Sequence, residues 1–295
     1  MKKMHGIIAV TVTPFLADGG IDYTTAAKHL NWLIGSGVHG LLPLGATGEF
    51  AALSLEERKA YAEFCMKEVK GRVPVMIGAV SQNMETTLEV CRHAASINAD
   101  AVMVLPAPGM HLSQDEIYAY YKHVSENVTL PVMVYNNPGS AGVDIAPETM
   151  ERIATLPHME YLKESTGDIT RLTLMVDTLE KELVILCGSE NLAYESFVMG
   201  AKGWICVLAN VAPAQAVELF DLITKKGDLV GARTLYRKLL PLLQLTESTG
   251  ELWQITKYVL QKQGMGNGVL RAPRLPISAA TKAAVDAVLQ TTTFK

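Results

Sequence analysis

The sequence predicts an α/β fold: a (β/α)8 TIM barrel with a C-terminal helical appendage. Eight short aliphatic runs recur along the chain, and stretches with the apolar spacing of helices lie between them. The runs are hydrophobic throughout rather than alternating, which is typical of parallel strands buried on both faces. Eight strand–helix units favour a closed barrel over an open sheet, and the first run lacks the glycine-rich turn of a dinucleotide site.

The predicted strands share β-branched or aliphatic residues and are bounded by turn residues. They cover residues 7–12, 40–44, 73–77, 101–105, 131–135, 160–163, 183–186 and 204–207. Ser54, with Glu57 three residues later, indicates a capping box at the start of one intervening helix. Past Pro213 only helical patterns remain, at 213–225, 229–246, 252–264 and 278–289. We therefore expect a barrel domain at residues 1–225 and a helical region at 226–295 packed on it.

Composition limits the classes of partner. Hydrophobic residues make up 49% of the chain and charged residues 19%, which allows a large buried core. The net charge of -4 and the lack of any basic run argue against nucleic acid or an anionic membrane as the partner, so a small molecule is expected. The four cysteines are far apart, which predicts neither a disulfide framework nor a zinc site and favours the cytoplasm. The first apolar stretch is too short for a signal core or a membrane span.

Polar residues cluster where the predicted strands end, which is where enzymes with this fold place their active sites. Lys163 ends the sixth strand and Tyr135 ends the fifth. A glycine-rich turn at 45–49 follows the second strand, and Gly188 and Glu190 follow the seventh. We expect all of them to meet at one mouth of the barrel.

Lys163 has apolar neighbours along its strand, so its amine is predicted to point into the mouth, where lost hydration favours the neutral form. A neutral amine can attack a ketone. The alternative is a lysine paired with Glu164 or extended toward solvent at the strand end. Tyr135 can transfer a proton from the same mouth, or it can be an ordinary barrel tyrosine.

The turn Gly45-Ala46-Thr47-Gly48 offers backbone N–H groups and one hydroxyl, which suit a carboxylate. The alternative is a tight connection whose glycines serve only geometry. Glu49 reads as a structural residue of this turn, and Cys206 as a small buried side chain. None of the seven histidines has the spacing of metal ligands, so we expect no metal.

Taken together, these motifs resemble the dihydrodipicolinate synthase and N-acetylneuraminate lyase family of class I pyruvate aldolases. The resemblance spans most of the chain, and several ordered motifs are more specific than any single one. The matching segments are 6–15, 45–49, 135–142, 163–164 and 203–213.

The resemblance implies that Lys163 is the Schiff-base lysine and Tyr135 the acid/base phenol. It implies a pocket for the pyruvate carboxylate formed by Gly45, Ala46 and Thr47, with Ile205 lining it through its backbone. A protonated imine withdraws electrons, so the neighbouring carbon can form or lose a carbon–carbon bond without a metal or organic cofactor. The implied partners are a 2-keto acid such as pyruvate, an aldehyde, and further copies of the chain in a dimer or tetramer.

Several departures from the family bear on the substrate. In the synthase branch of the family, a residue with a hydroxyl stands where this chain has Ala46, and the loop that corresponds to 106–111 contains a tyrosine. Where this chain has Ser140, that branch has an arginine, which holds the carboxylate of aspartate semialdehyde. Lysine biosynthesis is therefore disfavoured, unless His111 or a residue of the helical tail supplies the charge. Sialic acid lyases carry an Asp-Glu pair that is absent after Gly188, although Glu190 can meet one hydroxyl.

We therefore predict an aldolase for a 2-keto-3-deoxy sugar acid or a similar 4-hydroxy-2-keto acid, with Ser140, Gly188 and Glu190 at the substrate. Three alternatives remain open. The first is 4-hydroxy-tetrahydrodipicolinate synthase. The second is a keto-acid dehydratase or deaminase of the same family. The third is a keto-acid-binding regulator that has lost turnover.

Overall fold

The strands of this protein form the predicted barrel. The computed structural model describes residues 4–294, and it contains eight parallel strands in the order β2-β1-β8-β7-β6-β5-β4-β3. A parallel bridge between Leu41 and Val75 joins β2 to β3 and closes the circle. The strands are β1 (Gly6–Val10), β2 (Gly40–Leu42), β3 (Met76–Gly78), β4 (Ala101–Val104), β5 (Val132–Asn136), β6 (Met159–Glu164), β7 (Val184–Cys187) and β8 (Gly203–Cys206).

Each predicted strand overlaps an observed one, and two of the boundary differences come from proline. Strand β2 ends at Leu42, before the predicted end, because Pro43 has no N–H to donate and Leu44 adopts a φ of 62°. Strand β3 begins at Met76 rather than at 73, after Pro74. The carbonyl of Pro74 still accepts a hydrogen bond of 3.0 Å from Leu41 N across the closing seam.

Helices cover the outside of the barrel and continue beyond it. They are α1 (Tyr23–Gly35), α2 (Leu55–Val69), α3 (Met84–Ser96), α4 (Gln114–Asn127), α5 (Pro138–Ala141), α6 (Pro147–Ala154), α7 (Ile169–Leu179), α8 (Ala193–Val198), α9 (Pro213–Thr224), α10 (Leu229–Ser248), α11 (Leu252–Lys262) and α12 (Ala279–Thr291). The predicted capping box of Ser54 and Glu57 is present at the start of α2. No helix within residues 4–294 combines the length and the apolar character needed to cross a membrane.

Side chains fill the inside of the barrel in layers, and this pattern positions the site. Met133 and Tyr161 belong to the buried inner cluster. Successive residues of a strand point to opposite faces, so residues two positions further along point the same way. Tyr135 on β5 and Lys163 on β6 therefore also face the interior, one layer nearer the carboxyl end.

The C-terminal helices pack against the barrel and reach its mouth. The indole Nε1 of Trp253 on α11 donates a 2.7 Å hydrogen bond to the carbonyl of Ala46. Arg271, between α11 and α12, binds the Glu57 carboxylate through two nitrogens, at 2.6 and 2.5 Å. The division into residues 1–225 and 226–295 stays a prediction, but the tail clearly contributes to the carboxyl end of the barrel.

Candidate active site

Lys163 and Tyr135 lie side by side at the carboxyl end of the barrel. They are paired in register on neighbouring strands. The Lys163 Nζ lies 4.0 Å from the centroid of the Tyr135 ring. Both residues are buried, with 6% and 4% of their surface exposed. An amine and a phenol thus share one largely desolvated position.

Lys163 forms no ion pair with the described part of the chain. Within residues 4–294, no carboxylate lies within ion-pair distance of the Lys163 Nζ. Its neighbour Glu164 points away, accepting hydrogen bonds from Asn136 Nδ2 at 3.1 Å and from Thr166 N at 2.7 Å. Burial likewise rules out a lysine extended to solvent. Both alternatives to a nucleophilic role are thereby removed, and that role stays our prediction.

A glycine makes room for the lysine side chain. A Cβ added at Gly188 would lie 2.9 Å from Lys163 Cε and 1.8 Å from Ser165 Oγ. Contacts that short require one of these side chains to move. We predicted Gly188 as a substrate-binding residue, and its position next to Lys163 supports a role in shaping the space around the amine.

The hydrogen bonds of Asn137 orient the Tyr135 hydroxyl. Asn137 Oδ1 accepts from Ser140 N at 2.9 Å, which leaves the amide nitrogen directed at the Tyr135 oxygen, 2.7 Å away. Because that nitrogen donates, the phenol oxygen is the acceptor, and the phenolic hydrogen is left for another partner. This geometry suits a group that passes a proton to a bound molecule.

The glycine-rich turn forms a single 3-10 turn at Ala46–Gly48. Its own hydrogen bonds run from Gly48 N to Gly45 O and from Glu49 N to Ala46 O. The N–H groups of Ala46 and Thr47 lie outside these bonds, as donors at the start of a helical turn usually do. A side chain at Gly45 would collide with Val10, since an added Cβ would lie 2.7 Å from its Cγ2.

A cavity of about 640 Å³ opens at this end of the barrel. Three of the predicted site residues line it, namely Ala46, Tyr135 and Ser140, and Lys163 lies next to Tyr135. The others do not line it: Gly45, Thr47, Gly188, Glu190 and Ile205.

Loops of the barrel supply most of the other lining residues, and the C-terminal tail adds Trp253, Gln254, Arg271, Pro273 and Arg274. Sequence reasoning named none of these residues. The only sequence-based indication of them is the general expectation that a residue of the helical tail supplies a positive charge.

Glu190 lies inside the protein rather than at the cavity. Its carboxylate accepts hydrogen bonds from Trp204 Nε1 at 3.1 Å and from the backbone N–H groups of Val207 and Leu208, both at 2.8 Å. It is 2% exposed, and burial raises the pKa of Glu190 to about 8. These bonds join the loop after β7 to the end of β8. They favour a structural role over the predicted contact with a substrate hydroxyl.

Replacing Glu190 by glutamine is expected to lower the free energy of unfolding by about 1–3 kcal/mol, because the amide NH₂ leaves one buried N–H without an acceptor. Urea unfolding followed by circular dichroism measures this change. The exposed Glu182→Gln variant is the control, with unchanged stability expected. Full stability of Glu190→Gln together with a raised KM would instead support the predicted contact between Glu190 and the substrate.

Glu49 and Lys257 form a buried ion pair that fixes the tail to the turn. Lys257 Nζ lies 2.5 Å from Glu49 Oε1 and donates to the carbonyl of Val269 at 2.9 Å. Burial lowers the pKa of Lys257 to about 8. The structural role expected for Glu49 agrees with this arrangement, and the pair attaches α11 and the segment after it to the mouth.

Ile205 is part of the barrel wall. Its side chain is completely buried in the inner cluster, and it pairs in register with Ile8. A contact between its backbone and a substrate stays a prediction. Within residues 4–294 there is no group of three or more His, Cys, Asp or Glu side chains arranged to hold a metal ion.

Comparison with known proteins places this geometry in a family. A family model described as the dihydrodipicolinate synthetase family matches residues 3–292. The 4-hydroxy-tetrahydrodipicolinate synthase of Psychrobacter sp. (strain PRwf-1) is 34% identical over 288 residues, which cover 98% of this chain and 95% of that protein.

Solved structures agree with this assignment. The dihydrodipicolinate synthase of Thermotoga maritima superposes with a TM-score of 0.93 at 30% identity, covering 98% of each chain. A chloride-inhibited dihydrodipicolinate synthase of Acinetobacter baumannii, described as complexed with pyruvate, gives a TM-score of 0.93 at 29% identity over 98% of each chain. The protein therefore belongs to the dihydrodipicolinate synthetase family and is a class I pyruvate-dependent Schiff-base lyase that acts on carbon–carbon bonds.

Proposed function

We propose that Lys163 forms a Schiff base with the ketone of pyruvate and that Tyr135 transfers the protons of the reaction. The observation that carries this proposal is the buried amine of Lys163, which forms no ion pair with residues 4–294 and lies 4.0 Å from the Tyr135 ring centroid. An amine in this position can attack a ketone, and a neighbouring phenol can donate or accept a proton.

The chemistry then follows in balanced steps. The Lys163 amine adds to the ketone carbon, and one of its two protons passes to the ketone oxygen. Tyr135 donates the second proton, so that the oxygen leaves as water and an iminium ion remains. The Tyr135 phenolate then takes a proton from the methyl carbon, which gives an enamine. The enamine carbon attacks the aldehyde carbon, and the aldehyde oxygen takes up a proton. Water then hydrolyses the new iminium and releases Lys163.

The pyruvate carboxylate is assigned to the turn of Gly45, Ala46 and Thr47. The N–H groups of Ala46 and Thr47 lie outside the hydrogen bonds of the turn, which makes them available to an anion. The indole of Trp253 holds the Ala46 carbonyl, which limits movement of the turn.

For the second substrate we propose an aldehyde, with aspartate semialdehyde as the first compound to test. The relatives named 4-hydroxy-tetrahydrodipicolinate synthase support this choice over the sugar-acid aldolase that Ser140 favoured. Cleavage of a 2-keto-3-deoxy sugar acid is the second candidate. It is favoured by Ala46 and by the tyrosine-free loop at 106–111, both of which remove hydroxyl groups expected of a synthase.

Steady-state kinetics with both substrates tests this proposal. We expect kcat/KM for condensation of pyruvate with aspartate semialdehyde to exceed, by tenfold or more, kcat/KM for cleavage of a 2-keto-3-deoxy sugar acid. The reverse order would establish the sugar-acid aldolase. Loss of water or ammonia from the keto acid without release of pyruvate would identify a dehydratase or deaminase.

The predicted homo-oligomer in the cytoplasm belongs to the same proposal. Four buried cysteines, all without a disulfide, suit a reducing compartment. Light scattering coupled to size exclusion measures the number of subunits.

A further inference from the structure

Two arginines from the C-terminal tail, Arg271 and Arg274, line the cavity at the barrel mouth. They differ in what already binds them. The Arg271 guanidinium donates to both oxygens of Glu57 and to the carbonyls of Gly19 and Ala52. Its donors are used for structure, and little is left for a ligand.

Arg274 is different, because the described residues offer its guanidinium no hydrogen-bond acceptor, and the nearest carboxylate that acts on it, Glu49, is already paired with Lys257. Within the described chain, residues 4–294, Arg274 forms neither an ion pair nor a side-chain hydrogen bond. Its Cζ lies 3.2 Å from the ring centroid of Trp253, which holds the planar group by one face. Partial burial lowers the pKa of Arg274, although an arginine remains charged at any physiological pH.

Several contacts hold the residues around Arg274 in place. The ion pair of Arg271 with Glu57 and the hydrogen bond from Lys257 to Val269 anchor the segment that precedes it. The Trp253 indole is bonded in turn to the Ala46 carbonyl. The Arg274 guanidinium is therefore held next to the turn assigned to pyruvate, in the same cavity as Ser140.

We propose that Arg274 binds the anionic end of the second substrate and makes the enzyme specific for aldehydes that carry a carboxylate. This inference rests on the proposed aldol function. It assigns the charge that Ser140 cannot supply to another residue that lines the same cavity. A partly desolvated carboxylate needs such a cation to replace its water, and a guanidinium matches it with two parallel hydrogen bonds.

The test compares two aldehydes of similar length, succinate semialdehyde with its carboxylate and butanal without one, each condensed with pyruvate. We expect wild-type kcat/KM to favour the carboxylate aldehyde by about 10- to 100-fold, the range for a charge-assisted hydrogen bond. Arg274→Gln should abolish this preference and leave kcat/KM for butanal unchanged. Arg274→Lys should retain part of the preference for the carboxylate aldehyde, because lysine keeps the positive charge but lacks the planar guanidinium that donates two parallel hydrogen bonds.

A second readout separates this inference from the function on which it rests. Deuterium exchange into the methyl group of pyruvate, followed by NMR, reports the enamine and needs no aldehyde. We expect equal exchange rates and equal KM for pyruvate in wild type, in Arg274→Gln and in the control Arg233→Gln, which alters an exposed arginine on α10.

The outcomes are distinct. No exchange in wild type would overturn the proposed function itself. Normal exchange without a wild-type preference for the carboxylate aldehyde would overturn only the role of Arg274. A raised KM for pyruvate in Arg274→Gln would also overturn that role, because it would place the arginine at the first substrate. An unchanged melting temperature is the required sign that Arg274→Gln is folded.

Discussion

Replacing Lys163 by alanine is expected to lower kcat by roughly 10⁴- to 10⁶-fold, the range observed when a covalent nucleophile is removed. The amine forms the bond on which every later step depends, so without it neither imine nor enamine can form. The change leaves a cavity inside the barrel mouth but breaks no ion pair or side-chain hydrogen bond with residues 4–294, so we expect the fold to persist. Steady-state kinetics with pyruvate and the preferred aldehyde measures the loss.

A matched control keeps this result specific. Lys238→Ala alters an exposed lysine on α10 and should retain full activity with an unchanged circular dichroism spectrum. If Lys163→Ala kept more than about one hundredth of the wild-type kcat while folded, another group would be the nucleophile.

Replacing Tyr135 by phenylalanine is expected to lower kcat by roughly 10²- to 10⁴-fold, because a positioned proton-transfer group usually contributes that much. The ring that contacts Lys163 Nζ is retained, so the amine should keep its position. The change removes the acceptor of the Asn137 side-chain amide, which the open cavity allows water to replace. Kinetics together with deuterium exchange into the pyruvate methyl group measures the effect.

The exchange rate identifies the step that Tyr135 serves. We expect it to fall along with turnover, because formation of both the imine and the enamine requires proton transfer. Asn137→Ala is the comparison: it leaves the phenol in place but removes the donor that orients it, so a smaller loss is expected. Near-normal kcat for Tyr135→Phe would make Tyr135 a structural residue.

The barrel could be predicted because each strand is buried on both faces and therefore reads as a continuous apolar run. The errors at β2 and β3 arose where Pro43 and Pro74 remove backbone donors, an effect that hydrophobicity alone does not register. The positions of Lys163 and Tyr135 followed from strand ends and from the period of two, which are local properties.

The other wall of the cavity could not be predicted in the same way. Trp253 reaches Ala46 across 207 positions of sequence, and no local pattern encodes that contact. Glu190 is predicted to meet a substrate hydroxyl because it follows the seventh strand, yet its carboxylate accepts hydrogen bonds from the Trp204 indole and from the backbone N–H groups of Val207 and Leu208. Such contacts depend on tertiary packing, so only the structure identifies them.

Borohydride trapping tests the central claim most directly. The protein is reduced in the presence of pyruvate, digested, and analysed by mass spectrometry. We predict one reduced pyruvyl adduct per chain, located on Lys163 and absent from Lys163→Ala. An adduct on a different lysine, or none at saturating pyruvate, would contradict the Schiff-base mechanism at Lys163.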